Sequence, residues 1–150
     1  MGYEVRTNVR ITQISGKEED EKYGDIDVLA YVPDGSRVLV VECKDLHFAK
    51  MLGEVAEELH RFRGVEVDGK PDDLLRHLRR VRWCASNTDQ LAAYLGLSCL
   101  PRVEPYLVFS FTSPLGYSPL GATDTKVIDF TEVEASVGPA IADPDGRTSG

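Results

Sequence analysis

The sequence predicts an α/β domain, a three-layer sandwich around a central mixed sheet, and three observations predict it. Val38-Leu39-Val40-Val41 is a solid apolar run that reads as a strand buried on both faces. Val32-Pro33-Asp34-Gly35-Ser36-Arg37 has strong turn chemistry, so residues 26–32 and 37–44 should pair as an antiparallel hairpin. Helix-period stretches then separate this hairpin from further apolar strands near the C-terminus.

Taken in order, residues 3–14 read as a first strand, followed by a polar, highly charged turn at 15–23. After the hairpin, residues 48–62 place Met51, Leu52, Val55, Leu59 and Phe62 on one stripe, with Glu54, Glu57, Glu58 and Arg61 around it. Gly64 stops this helix. Asp68-Gly69 marks a loop, and Pro71 with Asp72 and Asp73 suits the start of a second helix. Its apolar stripe is Leu74, Leu75, Leu78 and Val81, which leaves Arg76, Arg79 and Arg80 on the exposed side, available to a nucleic-acid backbone. Asn87 or Thr88 caps a third helix that Gly96 closes. Residues 105–111 form another buried strand, and 126–130 a short last one. The tail 138–150, rich in Gly, Pro, Asp and Ser, is expected to be disordered, leaving one domain over residues 1–137.

The chemistry lies where the hairpin strands meet polar surroundings. Alternation puts Glu42 and Lys44 on one side of their strand and Cys43 on the other. Asp27, near the start of the first hairpin strand, lies across from them. Two neighbouring carboxylates repel, and a hard divalent cation held by oxygen ligands resolves the repulsion. Mg²⁺ suits this pattern, with Mn²⁺ as a substitute: Asp27, Glu42 and the backbone carbonyl of Cys43 supply oxygens, and waters fill the remaining positions. Lys44 is then placed to stabilise charge on a phosphate and to assist an attacking water. Asp25 is a secondary candidate for the first acid, and His47, three residues beyond Lys44, for a base or phosphate contact.

Gly24-Asp25-Ile26-Asp27-Val28, the hairpin, and Val40-Val41-Glu42-Cys43-Lys44 together resemble the core of the PD-(D/E)XK nuclease superfamily, the restriction endonuclease-like fold. The resemblance covers about residues 24–62. It implies that Asp27 is the family's metal-binding Asp and that Glu42 and Lys44 are its Glu-x-Lys, in a Mg²⁺-dependent endonuclease acting on nucleic acid, DNA before RNA. Some members carry a Gln and a Tyr four residues apart on the next helix, where this chain has Glu58 and Phe62. The family core generally begins with a helix, whereas residues 3–11 here alternate as a strand does. Two rivals stand beside this reading: a nuclease-like binding or assembly module of a larger protein that no longer cleaves, and a small-molecule phosphoester hydrolase. Many relatives act as dimers, so a homodimer or the remainder of a longer chain is a further expectation.

Composition narrows the classes. A chain of 150 residues is long enough to bury a core without staples. No segment approaches the roughly eighteen apolar residues of a membrane span, and the N-terminus lacks a signal-peptide core, so a cytoplasmic location without membrane association is expected. Cys43, Cys84 and Cys99 show no Cys-x-x-Cys spacing and should be reduced thiols. The net charge of −8 argues against a generic nucleic-acid binder. Charge is nevertheless segregated: over residues 60–83, seven Lys and Arg face four Asp and Glu, a local +3.

Overall fold

The computed structural model describes residues 2–45, Glu54, Glu57, 60–110 and 125–133. A five-stranded mixed sheet forms its frame. β1 (Glu4–Arg10), β2 (Asp25–Tyr31) and β3 (Arg37–Lys44) run antiparallel in sequence order, and β6 (Arg102–Phe109) and β7 (Lys126–Asp129) extend the sheet in parallel from β3. The apolar run of β3 therefore occupies the sheet centre, which explains why Val38, Leu39 and Val40 are all buried. The β2–β3 connection is the expected tight turn. Gly35 sits there at φ +78°, where a Cβ would come within 2.7 Å of the Cys99 sulfur. Asp34 Oδ1 accepts a bond from the Ser36 N–H at 2.7 Å.

The first strand is shorter than its alternation predicts. It ends at Arg10, and Ile11–Ser15 forms a short helix, α1. Ile11 and Ile14, three apart, both enter the core, and the Gln13 side chain accepts from the Arg10 N–H at 2.9 Å. The charged stretch that follows is a 3-10 turn, Glu18–Tyr23. Asp68-Gly69 is the tip of a small hairpin made by β4 (Glu66–Val67) and β5 (Lys70–Pro71), both tip residues having positive φ.

α2 (Asp73–Ser86) starts where Asp72 accepts from the Leu75 N–H at 2.8 Å. The other Asp72 oxygen holds the Arg63 and Val65 N–H groups, so one side chain fixes both the helix start and the loop before it. α3 (Thr88–Leu95) ends at the left-handed Gly96. Its N-cap is Asn87, whose side chain instead donates to the Trp83 carbonyl at 2.8 Å.

Helices α1, α2 and α3 cover one face of the sheet. There Trp83, Cys84, Leu91 and Leu95 pack on Leu29, Tyr31, Val38 and Val40, and Leu74 packs with Phe62, Leu107 and Phe109. The opposite face gathers Ala30, Leu39, Tyr106 and Ile128, with Tyr3 and Val133 against them. The third layer of the expected sandwich is not found among the described residues. Of the helix expected over 48–62, Glu54, Glu57 and His60 are helical, while His47 and Glu58 lie outside the described residues, as does the tail 138–150. The described residues include no helix long and apolar enough to cross a membrane.

Candidate active site

The β2–β3 ladder runs from Tyr31 opposite Val38 to Val28 opposite Val41, whereas β3 stays paired with β6 as far as Lys44 opposite Phe109. Beyond Val28 a side chain takes over the role of the ladder: Asp27 Oδ2 accepts from the Cys43 N–H at 2.8 Å. That bond brings the Asp27 carboxylate to the Glu42-Cys43-Lys44 segment, as strand register predicts. Glu42 and Lys44 share the side of β3 that carries Val38 and Val40, and α2 lies over that side.

Glu42 is only 5 % exposed. A lone buried carboxylate costs several kcal/mol, so it needs partners. Among the described residues it has two: Oε1 lies 2.9 Å from Lys44 Nζ, and Oε2 accepts from Arg80 Nη1 at 2.6 Å. Arg80 is anchored in turn by Nε, which donates to the Tyr23 carbonyl at 2.8 Å. One guanidinium thus ties α2 to the 3-10 turn and to the end of β3.

Arg80 is not the solvent-facing contact that the apolar stripe of α2 predicts. The helix face turned to the sheet instead carries Asp73, Leu74, His77, Arg80 and Cys84. Hydrophobic periodicity misses this face because Asp73 and Arg80 are ion-paired and His77 is buried, so its polar members are not solvated. Asp73 is ion-paired with Arg61 at 2.6 Å and with Arg76. Burial raises the Asp73 pKa, but the nearby charges of Lys44, Arg76 and Arg61 outweigh it and leave the carboxyl below its ordinary value. His77 is 1 % exposed, and its Nε2 has no hydrogen-bond partner among the described residues. Burial lowers its pKa to about 4, helped by the charges of Arg80 and Lys44 and opposed by Asp27. His77 therefore carries no charge at neutral pH. By sequence pattern Asp73 belongs only to the helix start and Arg80 to the exposed side, and His77 is given no role, although their spacing of four and three residues places all three on one helix stripe.

The remaining candidates are dispersed. Arg76 pairs with Asp73, Arg79 pairs with Glu66, and both keep substantial exposure. Asp25 is exposed and lines a separate hollow with Arg10, Thr12, Glu21 and Gly24. The Cys43 thiol has a raised pKa from burial and from the charges of Asp27 and Glu42.

Among the described residues, no group of three or more His, Cys, Asp or Glu side chains is arranged to hold a metal ion. The donors at hand are two carboxylates and a backbone carbonyl, all hard oxygen atoms, which match Mg²⁺ in kind and in their small number. Lys44 and Arg80 neutralise Glu42 at present, so a cation there would compete with them for its oxygens.

These features define a mixed α/β domain with an acid–acid–lysine cluster at the parting of two central strands, roofed by a helix that adds a histidine and an arginine. The chain belongs to the anti-phage protein Upx-like family, whose model matches residues 1–133. No curated protein and no solved structure matches the chain.

Proposed function

We propose that the chain is a metal-dependent nuclease domain acting in anti-phage defence, hydrolysing phosphodiester bonds of nucleic acid, DNA in the first place, on a restriction endonuclease-like core. The observation that carries this reading is the Asp27 carboxylate held on the Cys43 N–H beside Glu42 and Lys44. The family's anti-phage designation supports a role in attacking or sensing foreign nucleic acid.

Asp27 and Glu42, with the Cys43 carbonyl, would hold Mg²⁺ or Mn²⁺, which when bound supplies an activated water and neutralises charge on the phosphate. The chain's own groups do the rest. Lys44 Nζ, beside Glu42, presents a positive charge to the anionic phosphate as the water oxygen bonds to phosphorus and the ester P–O bond breaks. The buried Glu42–Arg80 pair holds the Glu42 carboxylate in place at the end of β3. Asp27 is oriented by its backbone bond, leaving Oδ1 for the cation.

Cleavage of single- and double-stranded DNA with Mg²⁺ is the test. Glu42→Gln and Lys44→Met should each lower the rate by at least about a hundredfold, the scale of losing one electrostatic stabiliser. Full cleavage by folded variants would overturn the reading. A second reading, a binding or assembly module that does not cleave, draws support from the occupation of both Glu42 oxygens by cations. It predicts nucleic-acid binding without turnover at any Mg²⁺ concentration.

A further inference from the structure

A cavity of about 470 Å³ opens between the 3-10 turn and the outer flank of α2. Lys22 and Tyr23 line it from the turn, Arg79, Arg82 and Trp83 from the helix, and Asn87 from the helix end. Its size lies in the range of small-ligand sites. Its charge is unusual for this protein: the chain carries −8 overall, yet the cavity wall holds three cations and no carboxylate.

The wall combines two kinds of contact. Tyr23 and Trp83 stand with ring centroids 6.4 Å apart and planes tilted by 52°, forming an apolar aromatic corner. Lys22 lies over the Tyr23 ring at 5.3 Å, and Arg82 is exposed on the next turn of the helix. Arg79 is steadied by Glu66 outside the lining. The Asn87 amide nitrogen donates to the Trp83 carbonyl, which ties the end of the helix to this wall. Aromatic surface beside cations is the pattern that takes a nucleobase and its phosphate together.

The position is informative as well. Tyr23, which lines the cavity, also holds Arg80 through its carbonyl, and Arg80 holds Glu42. Arg80 thus connects the turn that lines the cavity to Glu42.

We propose that this cavity is a nucleotide subsite that seats one unstacked nucleotide of a single strand, its base against Tyr23 and Trp83 and its phosphate on Lys22, Arg79 and Arg82. The assignment rests on the nuclease reading only for its role, which is to hold the strand next to the scissile bond. Binding itself does not depend on cleavage.

Trp83 is the chain's single tryptophan, so its fluorescence reports from this wall alone. The full chain in EDTA is titrated with short oligothymidylate and, separately, with thymidine monophosphate. Oligothymidylate should change Trp83 emission with a salt-dependent affinity. Lys22→Ala with Arg82→Ala should weaken binding about tenfold and lower the salt slope by about 1.4, at roughly 0.7 per lost phosphate contact on a single strand. Arg102→Ala, an exposed arginine elsewhere, should leave both unchanged. A response to the mononucleotide that the double variant also weakens supports the subsite with a free nucleotide as its source. No emission change with either ligand, or a change that the double variant leaves intact, overturns the subsite. Salt-dependent binding that persists when no DNA is cleaved under Mg²⁺ refutes the nuclease reading and leaves the subsite standing.

Discussion

The buried His77 links folding to pH. Its pKa falls from 6.5 to about 4 in the folded chain, because burial and the neighbouring Arg80 and Lys44 disfavour the imidazolium. Between those values the unfolded chain holds a proton that folding must expel. Stability from this residue is therefore complete above pH 6.5 and is lost as pH falls toward 4. A span of about 2.5 pH units at 1.36 kcal/mol each gives about 3 kcal/mol. His77→Gln keeps a polar side chain of similar size and removes the proton. Urea unfolding from pH 4 to 7.5 should show the wild type losing about 3 kcal/mol more than the variant on acidification, the difference curve cancelling the carboxylates common to both. Parallel curves would refute a neutral, desolvated His77 and with it the packing of α2 over the cluster.

Three further outcomes follow from the packing. Arg80→Met should destabilise by about 2–3 kcal/mol in urea titrations, below the full cost of orphaning a buried charge because Lys44 still faces Glu42, and Arg80→Met with Glu42→Gln should cost less than the sum of the two. Asp72→Ala removes a helix cap and two loop bonds and should cost about 2 kcal/mol by the same measure. Gly35→Ala places a methyl against the Cys99 sulfur at a left-handed backbone position and should lower the melting temperature by several degrees, of the order expected for about 1–2 kcal/mol.

Strand alternation and turn chemistry made the central hairpin legible in the sequence, together with the placing of Asp27 across from the Glu42-Cys43-Lys44 segment. Period-two geometry fixes which side chains share a face, whatever packs above them. The helix start near Asp72 and the stop at Gly96 were legible from local chemistry, although Asp72 serves as the cap and Pro71 lies in β5 before the helix. What alternation could not supply was the partner layer. Leu74, Leu75, Leu78 and Val81 suggested one buried stripe of α2, but Asp73 and Arg80 are turned inward because Arg61 and Glu42 compensate their charges, and His77 because it is buried uncharged. Long-range pairing of this kind leaves no trace in an apolar count. At Ile11 and Ile14 the alternating pattern also fits a helix, and burial of both against α3 decided for the helix.

Calorimetric titration of Mg²⁺ into the full chain and into Asp27→Asn tests the central claim most directly. The substitution preserves an oxygen to accept the Cys43 N–H while removing the charge, so the fold should hold. The nuclease account predicts Mg²⁺ binding by the wild type that weakens at least about tenfold in Asp27→Asn, the scale of losing one charged ligand. Equal binding by the two proteins, or none by either, would contradict it.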